Sequence, residues 1–373
     1  MRSAIRTRAE LERVLQLTEA ECEGLRQVRR SDQRGDDRPD GRTDMVAEAR
    51  VGMPLLVTPY YLSLIDPEDP TCPIRRQCVP QVAESHCVRG DLVDPLGEVA
   101  HEVAPQLVRR YPDRALLLVT STCAVHCRFC TRSRWVGKKE GYVPLTTLEP
   151  AFRWLQAHPE VREVLVSGGD PLVGSTGRLE GLLRAIKRIG TVDVIRIGTR
   201  VPVVLPMRVD DALVRMLRCY QPLWVMTHFN HPRELTDLSR AALCRLADAG
   251  IPVMNQTVLL RGVNDSDETL AALFRGLVRE RVRPYYLLHA DAVVGTGHLR
   301  TSMETSLALY ARLQGRLSGI AVPRLMVDLP GGMGKVAVGP ETIVSRKPGR
   351  TVFRSVGGEN VTVFDPEPLM GIA

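Results

Sequence analysis

Cys123, Cys127 and Cys130 stand four and three residues apart in the run Cys-Ala-Val-His-Cys-Arg-Phe-Cys. Thiols at that spacing can close on one metal centre without long reach. A closed structural zinc site takes four Cys or His ligands, whereas a cubane iron-sulfur cluster held by three thiolates keeps one iron open to a small molecule. On spacing alone, zinc completed by His126 and thiols that merely pack in a core remain alternatives.

Other residues have chemical capacity at fixed places. Gly168 and Gly169, ahead of Asp170, follow a buried apolar run and permit close backbone approach by a ligand, or form a tight turn. Lys335 ends the glycine-rich stretch Pro-Gly-Gly-Met-Gly-Lys; such a loop also suits phosphate, but the remaining Walker spacing is missing. Arg110 and Arg114 flank Tyr-Pro-Asp just before an apolar run, where an arginine pair by itself is commonly a surface ion pair. Asp291 and Asp328 could each cap a helix or turn.

With Arg-Tyr-Pro-Asp-Arg (110–114), Cys-Thr-Arg-Ser-Arg (130–134), Ser-Gly-Gly-Asp-Pro-Leu (167–172) and Asp-Leu-Pro-Gly-Gly-Met-Gly-Lys (328–335), the chain resembles the lysine 2,3-aminomutase family of radical S-adenosylmethionine (SAM) enzymes from about Thr58 to Pro366. The resemblance implies that Cys123, Cys127 and Cys130 hold a 4Fe-4S cluster whose open iron chelates SAM. It implies that Gly168, Gly169 and Asp170 meet the amino group of SAM, with His228 and Gln256 contacting SAM or lining the site. For His228 a structural role is also open. Lys335 becomes the Schiff-base lysine for pyridoxal 5′-phosphate (PLP), with Arg110 and Arg114 at its phosphate. Arg132 matches the residue for the substrate carboxylate, and Asp291 and Asp328 match two aspartates that hold the distal ammonium of lysine.

The implied activity is transfer of the α-amino group of a free basic amino acid to its β-carbon, lysine to β-lysine first. The small residues after Asp291 (Ala-Val-Val-Gly-Thr-Gly-His) leave arginine, giving β-arginine, as a rival through extra room. A glutamate enzyme would be expected to put cationic or neutral groups at positions 291 and 328. A radical SAM enzyme acting on a protein or RNA, and a non-catalytic zinc-binding interaction protein, are the further readings. The family's usual enzyme has a cysteine after Val-Asn-Asp and a C-terminal cysteine cluster sharing zinc between subunits. Here Ser266 follows Asp265 and the tail to Ala373 has no cysteine, so no structural zinc is expected and the family's tetramer is not carried over, although a homo-oligomer remains possible. The electron would come from a reductant protein that the sequence does not identify.

These residues need a scaffold with one functional rim. Candidate strands are Ala115 to Thr120, Val161 to Ser167, Asp193 to Thr199, Leu223 to Phe229, Pro252 to Leu259 and Arg283 to His289, with helical patterns between them. One helix begins near Thr146 with a capping-box Glu149; another ends at Gly250. Six strand-helix units in series predict an α/β fold, a partial (β/α)6 barrel, which is also the radical SAM fold implied by the resemblance. Ligands in such sheets sit at the carboxyl ends of the strands. The cysteine loop, the Gly-Gly-Asp turn, Thr199-Arg200, His228, Asn230 and Asp291 follow successive strands, and Asn255 and Gln256 lie within the fifth.

The expected organisation is a helical and irregular N-terminal extension (1–108), the barrel (109–320) and a small C-terminal segment carrying Lys335 (321–373). Thr7 to Arg30 suits one or two surface helices, and the polar stretch Ser31 to Asp44 reads as a mobile linker. The 373 residues are 44% hydrophobic, and no apolar run is long enough to span a bilayer. The charged N-terminus is unlike a signal peptide, and nine cysteines, an odd number, do not form a secreted disulfide framework. A cytoplasmic protein without membrane contact is expected. The net charge of +7 is spread over scattered arginines with only 5% aromatic residues, which argues for a solvated surface and against a nucleic-acid partner.

Overall fold

Alternation along the apolar runs determines what the sheet does with its two faces. In the computed structural model, which describes residues 3–32, 53–137, 141–339, 342–347, 350–355 and 357–364, a short antiparallel hairpin, β1 (Glu102–Ala104) and β2 (Leu107–Val108), leads into the parallel strands. These are β3 (Arg114–Thr120), β4 (Glu163–Gly168), β5 (Val194–Gly198), β6 (Leu223–Thr227), β7 (Val253–Leu259) and β8 (Arg283–His289), paired in chain order. Each matches one of the six expected runs within two residues at either end. On one face Leu117, Val164, Val166, Ile195, Ile197, Val225 and Leu287 join the main apolar core with the helices. The alternate residues, among them Leu165, Met226, Gln256 and Leu288, line the barrel interior.

The sheet continues past the six strands. A further parallel strand, β9 (Arg324–Leu329), pairs with β8, and β10 (Gly334–Ala337) folds back antiparallel with Lys335 opposite Asp328. One ten-stranded sheet thus crosses both expected segment boundaries, at 108 and at 320. A separate antiparallel sheet, β11 (Ile343–Lys347), β12 (Arg350–Arg354) and β13 (Asn360–Phe364), follows as the small C-terminal extension.

Side-chain caps set several helix starts. Ser175, Asp210, Thr236, Ser266 and Ser302 each accept a backbone N–H three residues on, opening the helices Thr176–Lys187, Asp211–Arg218, Asp237–Asp248, Asp267–Arg279 and Met303–Leu313. The expected box at Thr146 and Glu149 does not form. The helix starts one residue earlier, as Leu145–Ala157, with Pro144 at its cap and no side-chain bond there, so Thr146 already lies in the first turn. The helix expected to stop at Gly250 does so, with Gly250 at φ 71°.

The N-terminal helices are amphipathic surface helices, as expected, with their apolar sides turned inward. Arg8–Leu11 sends Leu11, Glu19–Asp32 sends Leu25 and the link between them sends Leu15 into the main core, while Val14 of the link remains 52% exposed. Glu21 pairs with Arg75 through two 2.6 Å contacts, both side chains fully buried. Beyond Asp32, the stretch expected as a linker lies outside the described residues. Among the described residues no helix is long and apolar enough to cross a membrane.

Candidate active site

The cysteine loop follows β3, and its alternate residues are anchored behind it. The His126 backbone N–H donates to Leu56 O (2.8 Å) and its Nδ1 meets Pro54 O (2.8 Å). Arg128 donates from its backbone to Gln77 O (2.9 Å) and forms a buried pair with Glu84. With these two turned toward the N-terminal extension, Cys123, Cys127 and Cys130 all face a cavity of about 300 Å³. Burial, then the neighbouring thiols, pushes Cys130 up to about 11 and Cys123 well above the ordinary thiol range. His126 does not line this cavity, so the arrangement suits three cluster ligands and not a zinc set with His126 as the fourth.

The Gly-Gly-Asp turn abuts this loop because its glycines lack side chains. Gly168 has φ 125°, and a Cβ there would stand 2.4 Å from Thr120 O; at Gly169 it would stand 2.3 Å from Thr122 O. The turn therefore forms one wall of the thiol cavity, as a small ligand on an open iron requires. Asp170 is buried, and its carboxylate accepts from Leu172 N (3.0 Å), Thr199 Oγ1 (2.6 Å) and Arg200 N (2.6 Å), which ties the end of β4 to the end of β5. Its hydrogen bonding thus goes to the scaffold. His228 Nε2 meets Asn230 Oδ1 (3.1 Å), and its ring tilts against Phe129 at 5.4 Å. Burial, then the Arg200 charge, lowers His228 to about 3, so it is neutral at working pH.

A second cavity of about 360 Å³ carries Lys335, Arg110, Tyr111, Arg114, Tyr285 and Tyr286. The β9–β10 turn sets Lys335 across from Asp328, and its ammonium pairs with that carboxylate. Arg110 Nη2 donates to the other oxygen of Asp328 (2.6 Å). The Tyr111 hydroxyl accepts the Lys335 backbone N–H (2.9 Å), and the Arg114 guanidinium lies 3.7 Å over the Tyr111 ring. One amine, two guanidiniums and stacked tyrosines (ring centroids 3.6 Å apart) fit a planar phosphorylated aldehyde such as PLP.

The two cavities share Arg132, Gln256 and Lys335, so the amine and the three thiols face one continuous site. Asp291 and Asp328 line the thiol side. Burial, then repulsion from Asp328, raises Asp291 to about 6 against the pull of Lys335 and Arg110. Arg132 is held by Glu98, at 2.7 Å from Nη2 and 2.9 Å from Nε, and Arg134 reaches the same carboxylate at 2.8 Å. Burial alone would raise Glu98, but Arg132 and Arg134 overcome it and hold it at about 2.

Arg200 is one of the rim residues that follow successive strands, whereas Glu98 and Tyr111 have no functional reading in the sequence: Tyr111 lies inside Arg-Tyr-Pro-Asp-Arg and Glu98 has no local signal. The extra room expected after Asp291 is not vacant either. Leu92 donates to Ala292 O (2.8 Å) and accepts from Val294 N (3.2 Å), so the small residues of that loop admit the backbone of the segment before β1.

Comparison with known proteins agrees with this geometry. The radical SAM superfamily model matches residues 117–274, and the lysine-2,3-aminomutase model matches residues 310–371. The chain is 43% identical to an L-lysine 2,3-aminomutase of Fusobacterium nucleatum over 89% of its own length and 78% of that protein's. It is 40% identical to the L-lysine 2,3-aminomutase of Clostridium subterminale, covering 98% of this chain and 83% of that one. A glutamate 2,3-aminomutase of Clostridioides difficile is 39% identical over 85% of this chain and 74% of its own. With most of both chains aligned at this identity, and with the three thiols and Lys335 facing one site, the protein belongs to the lysine 2,3-aminomutase family of radical SAM enzymes, isomerases that work with a 4Fe-4S cluster, SAM and PLP.

Proposed function

We propose that the protein moves the α-amino group of free L-lysine to the β-carbon, giving β-lysine. The observation that carries this reading is the acidic pair Asp291 and Asp328 on the wall that also bears Lys335. Asp328 already pairs with a primary ammonium, that of Lys335, which is the group lysine carries at its far end. Asp291 is a carboxyl raised by burial and then by its acidic neighbour, a site whose charge is relieved when a cation arrives. The γ-carboxylate of glutamate would meet repulsion from both.

Arg132, shared by both cavities, takes the substrate carboxylate, and Glu98 keeps its guanidinium in place for that. The bound cofactors supply a hydrogen-abstracting carbon radical and a conjugated ring across which nitrogen can change carbon. Lys335 anchors the ring, Arg110 and Arg114 bind its phosphate, and Gly168 and Gly169 let SAM approach the backbone. Cys123, Cys127 and Cys130 ligate the cluster, and Gln256, on both cavity walls, bridges the two halves. An external one-electron donor completes the cycle, and a reducing cytoplasm suits the free thiols. Lys335 is carried by β10, where the barrel sheet continues past residue 320.

The test is anaerobic reconstitution with iron, sulfide, PLP and SAM, followed by chromatography of products from each of the twenty amino acids. β-Lysine from L-lysine is expected. Turnover of arginine or glutamate with lysine inert would overturn the substrate assignment, and SAM cleavage without turnover of any free amino acid would point to a macromolecular substrate.

A further inference from the structure

Arg200 follows β5 and is buried, 8% exposed, in a place where a charge needs a reason. Its guanidinium is held on three sides. Nη2 donates to Gln77 Oε1 (2.6 Å), Glu234 Oε1 (2.8 Å) and the Tyr61 hydroxyl (2.9 Å), and Nε reaches His228 O at 3.3 Å. Glu234 is itself fixed by the backbone of Asn230 (2.6 Å) and His231 (3.0 Å) and by the Tyr61 hydroxyl (2.7 Å). The guanidinium also lies 5.3 Å from the Phe129 ring centroid. With that end locked, Nη1 points at the cysteine loop and stands 2.9 Å from Cys127 Sγ.

We infer that Arg200 tunes the reduction potential of the cluster through the Cys127 sulfur. One electron enters the cluster on reduction, with no bond broken and no proton moved, and the added negative charge is spread partly onto the ligating sulfurs. A buried cation that donates N–H to one of those sulfurs stabilises the reduced form more than the oxidised form, so it raises the potential. The low-dielectric surroundings keep this effect from being screened. Glu234 lies on the Nη2 side, so it fixes the guanidinium without standing between it and the sulfur. The Arg200 backbone N–H donates to Asp170, so the Gly-Gly-Asp turn and the tuned sulfur share one support.

This inference rests on the family assignment, and the experiment separates the two. Wild type, Arg200→Lys and Arg200→Gln are reconstituted anaerobically, assayed for four irons per chain, and titrated with dithionite while the reduced cluster is followed by electron paramagnetic resonance. In Arg200→Gln the equilibrium constant for one-electron reduction is expected to fall at least tenfold, a shift of about 59 mV to more negative potential. Arg200→Lys keeps a charge for Glu234 but loses the forked donor, and its potential is expected to fall between the two. Wild-type potentials in both loaded variants would overturn the inference. If Arg200→Gln takes up no cluster, Arg200→Lys decides alone, and a wild-type potential there overturns it. Failure of both variants to load overturns it as well, since Arg200 would then be a support for the loop. A wild type that takes up no 4Fe-4S cluster would instead overturn the family reading.

Discussion

The thiol cavity and the Lys335 cavity meet in one site but are built in opposite ways. Around the thiols, the polar groups are spent on the scaffold: Asp170 is taken by three donors, and Arg200 is locked by Gln77, Glu234 and Tyr61. Where the two cavities meet at Lys335, the charges compensate one another directly, with Asp328 between Lys335 and Arg110 and Asp291 in no ion pair among the described residues. A preformed frame suits a cluster that must keep its geometry through electron transfer. Charges that can exchange partners suit an end that must accept and release an amino acid.

The sharpest way to break this division is to remove each anchor in turn. Cys127→Ala is expected to abolish the cluster and turnover while the PLP absorbance tied to Lys335 remains. Lys335→Ala is expected to abolish that absorbance and turnover while iron content and the reduced-cluster signal remain. Both losses fall below detection in an end-point assay. If either variant loses both cofactors, the two cavities are one folding unit and the contrast between them fails.

Asp328→Asn comes next in size. The side chain is only 3% exposed and serves two cations, so its neutral isostere leaves Arg110 and the arriving ammonium short of a counter-charge. A loss of about 2 to 5 kcal/mol in transition-state binding is expected, read as a thirty- to several-thousand-fold drop in kcat/KM for lysine. The PLP spectrum should survive. Unchanged kcat/KM for lysine would remove the acidic pair from substrate recognition.

How far this contrast could be read in advance follows from chain distance. The cysteine spacing and the Lys335–Asp328 pair are local: three thiols within eight residues, and an amine seven residues from its carboxylate across a tight turn. Glu98 meets Arg132 from 34 residues away and Arg200 meets Cys127 from 73, and each is one of many charged residues in a chain with 50 lysines and arginines. Such partners are chosen by tertiary packing and leave no periodicity. The strands were legible because alternate residues face the helices and the cavity. The N-terminal helices were legible as surface helices from their few apolar positions, but the core that those positions cover was not.

A smaller effect concerns the acidic wall where the two cavities meet. Asp291 carries a pKa of about 6, so above that pH it is ionised and ready for an ammonium, and below it the carboxyl is protonated and the attraction is lost. Since kcat/KM reports the free enzyme, its acid limb for lysine is expected at about pH 6, falling about tenfold per unit below. Asp291→Asn should lower the plateau and erase that limb. A limb that persists in the variant belongs to another group.

The smallest effect concerns the frame shared by both cavities. Ser266 occupies the place where the family's usual enzyme has a cysteine, and here its hydroxyl accepts Thr269 N–H at 3.2 Å and opens Asp267–Arg279, the helix that follows the Gln256 strand. Thr146, whose sequence context promised a cap, makes none because Pro144 starts its helix. Ser266→Ala is therefore expected to cost about 1 kcal/mol in unfolding free energy by denaturant titration, and Thr146→Ala, which removes no cap bond, clearly less. Neither should move the cluster potential or the PLP spectrum. Equal losses in the two variants would mean that the Ser266 hydroxyl is not acting as a cap, and a shifted potential in Ser266→Ala would show that the thiol cavity feels helix Asp267–Arg279 directly.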